Sequence, residues 1–149
     1  MSEANFNDTT RKVIPSSAWG TFAPTVTLVG GVSNTVPVYS TNTGRYIQYA
    51  NIVFVEVLLT GDGGDEGGGS GILNIALPVT AGASHPGERF HAGYFENSTS
   101  LRPLFGTIAG GGTTVSLDIC TSVLIITGAA GSDQNSTTRS IRLKFFYEI

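Results

Sequence analysis

Charge is scarce in this sequence. Only 13% of its 149 residues are Asp, Glu, Lys or Arg, and eight cations against eleven carboxylates leave a net charge of -3. The cations stand apart at Arg11, Lys12, Arg45, Arg89, Arg102, Arg139, Arg142 and Lys144. They spell out no basic stripe for a phosphate backbone, so nucleic-acid binding is not expected. Cysteine is limited to Cys120, which excludes a disulfide within the chain; set in the apolar run 115–127, it reads as a buried, inert thiol. Apolar runs long enough to span a bilayer are missing, and the polar N-terminus has no signal-peptide h-region. The chain is therefore expected to be made in the cytoplasm without membrane insertion. Without secretion, Asn7, Asn97 and Asn135, each followed by Ser-Thr or Asp-Thr, mark polar turns rather than glycan attachment sites.

What the chain does have is 40% hydrophobic residues and 20 glycines. That combination describes one compact, turn-rich domain. Residues 1–18 are polar, contain Pro15 and hold no sustained period, so they read as an N-terminal arm or tether; residues 19–149 form the domain. Short apolar strands are expected at 25–29, 35–39, 45–49, 52–60, 72–77, 89–96, 101–108, 113–127 and 138–149. No window keeps helical spacing free of glycine, proline or β-branched crowding. The expected class is all-β, an antiparallel two-sheet sandwich of jelly-roll type with a short extended arm. The glycine-rich loops 61–71 and 110–112 are expected at its ends.

Residues 44–60, GRYIQYANIVFVEVLLT, carry the strongest signal. Val53, Val55, Val57 and Leu59 alternate with Ile52, Phe54, Glu56 and Leu58, and both sets are mostly apolar. A half-buried strand needs one apolar face, so the second is assigned to a neighbouring subunit. The last strand alternates more cleanly, with Ile141, Leu143, Phe145, Tyr147 and Ile149 opposite Arg142, Lys144 and Glu148.

The search for chemistry ends without a site. His85, Glu88 and His91 are close in sequence, but Pro86-Gly87 is a turn signal and no third His or Cys completes a metal set. Asp62, Asp65 and Glu66 lie in a glycine-rich loop without the spacing of a calcium motif or the Lys-Ser/Thr of a phosphate loop. Either His with Asp118 and a serine lacks the Gly-x-Ser-x-Gly elbow of a hydrolase. Asp118 and Glu56 interrupt apolar strands and must be paired, outward-facing or at an interface. Tyr39, Tyr46, Tyr49, Tyr94 and Trp19 would suit a sugar-stacking platform, although core or interface places suit them as well, and Trp19 reads as a plug closing the domain at its entry. No catalytic, cofactor-binding or metal-ligating residue is assigned; no cofactor and no enzymatic activity are expected.

Three segments in order do carry a resemblance: Trp19-Gly20-Thr21-Phe22-Ala23-Pro24-Thr25, then Gly44-Arg45-Tyr46-Ile47-Gln48-Tyr49-Ala50-Asn51-Ile52-Val53, then Leu77-Pro78-Val79-Thr80. Together they resemble a module of tailed-bacteriophage structural proteins, notably tail-fibre and receptor-binding proteins. In that module a Gly-basic-Tyr strand turns through Gly-Asn into the next strand, and this chain departs at Ala50, where the family often has Gly. The resemblance implies a non-enzymatic β-sandwich, a homotrimer on the exterior of the virion. It would serve as a capsid decoration or head-fibre protein, or as a small tail-fibre or receptor-binding component. The arm would hold other capsid or tail proteins, and exposed loops would meet host surface glycans. The alternative is a soluble carbohydrate-binding β-sandwich module, monomeric and independent of residues 1–18.

Overall fold

The structure, a computed structural model, describes residues 19–61, 68–97, 100–122, 125–128 and 139–149. Among them are ten strands and no helix: β1 Gly20–Phe22, β2 Val26–Val29, β3 Thr41–Tyr49, β4 Ile52–Gly61, β5 Ile72–Ala76, β6 Arg89–Asn97, β7 Leu101–Thr107, β8 Thr114–Ser122, β9 Ile125–Gly128 and β10 Arg139–Glu148. The class is all-β, as the alternation predicts. Every pairing is antiparallel, and nine strands follow one path, β1-β3-β4-β10-β6-β7-β8-β5-β2, with β9 beside β8. The path is a single curled sheet running unbroken from end to end, and a two-sheet jelly-roll sandwich is not confirmed by it.

Two local features produce the curl. β10 pairs with β4 from Arg139 to Glu148 but with β6 only from Arg139 to Leu143. The parting falls at a bulge between His91 and Gly93, the place where extra twist bends a strand. Beyond it β6 leaves β10, so the half holding β1, β3, β4 and β10 folds over the half holding β7, β8, β5 and β2. The two ends of the path are consecutive strands, β1 and β2, joined only by residues 23–25. Four Cα steps reach at most about 14 Å, which keeps the two edges near one another. The Asn42 amide donates to the Pro24 carbonyl at 2.8 Å and the Ala76 N–H donates to the Thr25 carbonyl at 2.9 Å, so adjacent carbonyls hold opposite halves.

The core fills the curl. Val53, Val55, Val57 and Leu59 of β4 and Ile141, Leu143, Phe145 and Tyr147 of β10 point inward with Leu73, Ile75, Phe95, Leu104, Val115, Leu117 and Ile119. Each such side chain contributes about 1.5–3 kcal/mol over leaving it in water. Tyr147 is pinned inside: its hydroxyl donates to the Val79 carbonyl at 2.6 Å and accepts the Val79 N–H at 3.3 Å. Burial pushes its phenol from the usual 10.0 up to about 12.

Several expectations need correction. Residues 35–39 form no strand, only an isolated bridge from Thr35 to Gly68; Pro37 has no N–H to give a ladder. Instead the Val38 carbonyl accepts a 2.6 Å hydrogen bond from the buried Arg139, whose guanidinium lies over the Tyr39 ring. The run 113–127 is two paired strands, β8 and β9, rather than one, with Cys120 opposite Ile126. Cys120 is only half-buried, because the inward parity of β8 belongs to Val115, Leu117 and Ile119. The short strand β1 was not expected; three residues are too few to show an alternation.

Candidate functional site

The outer face of β3, β4 and β10 is banded, and the bands follow from register. Reading across the strands, Thr43, Leu58 and Arg142 form one row, extended to Tyr94 of β6; Arg45, Glu56 and Lys144 form the next; Ile47, Phe54 and Phe146 the third; Tyr49, Ile52 and Glu148 the last. The sequence places a polar or charged residue in each inner row and apolar residues throughout the third.

In the charged row Glu56 is held between two cations. Arg45 lies 2.5 Å from one carboxylate oxygen and Lys144 2.8 Å from the other. The hydrogen bond from Lys144, and then that from Arg45, hold the Glu56 carboxyl below its usual range against the upward push of desolvation. The Arg45 guanidinium also stacks on Trp19, 4.7 Å from the ring centroid. Exposed pairs of this kind stabilise a fold by about 1 kcal/mol or less, so the row contributes more to the surface than to the core.

The third row is apolar and open. Phe54 is 43% and Phe146 64% exposed, their rings 5.8 Å apart, and Trp19 at 41% exposure leans over the same band. These residues and Ile47 line a hollow of about 350 Å³. Trp19 is therefore no plug: Gly20 faces Tyr46 on the inward parity, which turns Trp19 outward. Beside the hollow, rows one and two form an open trough of about 810 Å³ that crosses from Thr21 and Thr43 to His91 and Tyr94.

The sequence-predicted residues end in different places. Ile52, Phe54, Glu56 and Leu58 lie outward, as the two-faced reading of β4 requires. Trp19, Tyr49 and Tyr94 are exposed, whereas Tyr46 turns inward edge-on to Phe22 and Tyr39 lies under Arg139, so the five aromatics make no single platform. Burial raises the Tyr39 phenol far above its ordinary value, with Arg139 opposing. Asp118 pairs with Arg89 at 2.8 Å. The His85 ring accepts the Gly87 N–H within its own turn, and His91 stands edge-on to Tyr94 and Phe105. Among the described residues no group of three or more His, Cys, Asp and Glu lies together. The Asn97 side chain accepts from the Ser100 N–H and hydroxyl, while Asp62, Asp65, Glu66, Asn7 and Asn135 lie outside the described residues. Gly110–112 is not a free loop end, since the Ala81 N–H donates to Gly112 and the Gly111 N–H to Gly82.

Sequence reasoning missed the gathering of Arg45, Arg142 and Lys144 on one trough. Half of the signal was visible, because Arg142 and Lys144 share a strand face; Arg45 joins them only once β3, β4 and β10 are known to be neighbours. No protein family, curated protein or solved structure is found to match the chain.

Proposed function

We propose that this protein is a non-enzymatic structural component on the exterior of a bacteriophage particle, self-associating as a homotrimer through the aromatic band at one end of the outer face of β3, β4 and β10. Its role is that of a capsid decoration or head-fibre protein, or of a small tail-fibre or receptor-binding component. In this reading the two halves of the curled sheet act as the layers of a jelly-roll-like sandwich, and residues 1–18 attach the domain to other virion proteins.

The observation that carries the reading is the outward band of Phe54, Phe146 and Trp19, all exposed, with the half-buried Ile47 beside them. Contiguous aromatic surface of this kind marks a protein contact. Three aromatic rings of about 150–250 Å² each, roughly half covered already, leave on the order of 300 Å² to bury, worth about 7 kcal/mol before the cost of association. The ordered segments around Trp19, Gly44-Arg45-Tyr46 and Leu77-Pro78 supply the phage context by resemblance. Gold-tagged antibody against the chain should label purified particles over head or tail, and a variant lacking residues 1–18 should fold yet fail to be incorporated. Particles bearing no label, or normal incorporation of the truncated chain, would overturn the respective part.

A further inference from the structure

We infer that the trough beside the aromatic band is a binding site for an acidic saccharide chain, one whose sugar rings carry carboxylate groups. The inference does not rest on the virion reading, since the trough is a property of one chain.

Electrostatics come first. The protein as a whole is net negative at -3, yet three of its eight cations, Arg45, Arg142 and Lys144, converge here against a single carboxylate, Glu56. That carboxylate is already held by Arg45 and Lys144. Arg142 is exposed, and no ion pair engages it among the described residues. The trough therefore has two positive charges in excess and one guanidinium ready for bidentate contact with a carboxylate.

The walls and floor favour a sugar over other anions. Tyr94, cross-strand neighbour of Arg142, is 47% exposed and steadied edge-on by His91 at 5.1 Å between centroids. An aromatic face beside a guanidinium fits a ring that is apolar on its C–H face and anionic at its edge. Thr21 and Thr43 add hydroxyls at the opposite end. The trough crosses β1, β3, β4, β10 and β6, about 19 Å at the usual strand spacing, which accommodates a chain of several sugars. Along its floor β4 is paired on both sides and β10 is paired on both sides as far as Leu143. The floor itself therefore offers no open ladder to an acidic peptide; backbone is unpaired only at its margins, along the outer edge of β1 and on β10 from Lys144, so recognition along the floor falls to side chains. Arg142 and Phe146 are four residues apart on β10, about 13 Å, so a copy seated on the aromatic band leaves this end accessible.

The test is isothermal titration of the intact protein at low salt with three chains of matched length: tetragalacturonic acid, maltotetraose and a tetraglutamate peptide. Tetragalacturonic acid should bind saturably, and more weakly near 0.15 M salt as screening sets in. Arg142→Gln should weaken it about two- to fivefold, the effect of removing one exposed charged contact. Tyr94→Leu should weaken the saccharide and leave the residual tetraglutamate binding unchanged. Both positions are exposed, and melting curves verify that the variants stay folded. Three results would overturn the inference: no saturable binding of tetragalacturonic acid at millimolar concentration, equal affinity for tetraglutamate, or equal affinity for maltotetraose.

Discussion

Gly93 lies against the backbone carbonyl of Arg142 so closely that a Cβ at position 93 would overlap that oxygen and stand 2.9 Å from the Leu143 Cα. Its φ of 153° also belongs to glycine rather than to L side chains. This contact sits where β6 parts from β10, and it fixes Tyr94 beside Arg142.

Gly93→Ala is therefore expected to destabilise the domain by about 3 kcal/mol or more, through overlap with backbone that cannot yield. Denaturant unfolding measures it. A loss below about 1 kcal/mol would mean that the strands separate elsewhere.

Ala50 presents the opposite case. It occupies the first position of the two-residue turn between Tyr49 and Ile52 with φ at 52°, a place that hairpin turns reserve for glycine. Ala50→Gly should relieve the left-handed strain and stabilise the domain by about 1 kcal/mol, seen as a rise in Tm. The resemblance had singled out this position, and the backbone supplies the physical reason.

Legibility followed periodicity. The alternation of β4 and β10 was readable, and in β10 Arg142, Lys144 and Glu148 mark the outward face; β4 is apolar on both faces, so its alternation alone did not say which one is inward. β1 was too short to read, residues 35–39 read as a strand although Pro37 lacks an N–H and Arg139 takes the Val38 carbonyl, and the division between β8 and β9 left no mark in the run 113–127. The sequence allows Glu56 an outward place but does not name its partners, since Arg45 and Lys144 come from opposite neighbours of β4. Pairing of distant strands is set by the whole core, and no local pattern encodes it.

Tyr147 gives a pH dependence with a definite sign. Its phenol rises from 10.0 unfolded to about 12 folded, so its contribution is complete below pH 10. Above that the unfolded chain releases the proton first, and stability falls until about pH 12. Tyr147→Phe should cost about 1–2 kcal/mol at neutral pH by stranding the Val79 amide and carbonyl, and should flatten the alkaline decline. Urea midpoints at pH 8, 10 and 11 distinguish this; an unchanged slope in Tyr147→Phe would assign the decline to other groups.

In the proposed trimer the band of Ile47, Phe54 and Phe146 is covered by further copies of the chain. Multi-angle light scattering at micromolar concentration tests it directly, on the natural protein and on the Phe54→Ser, Phe146→Ser double variant. The account predicts a trimer for the first and a folded monomer, with unchanged far-ultraviolet circular dichroism, for the second. A monomeric natural protein, or a double variant that remains trimeric, would contradict it.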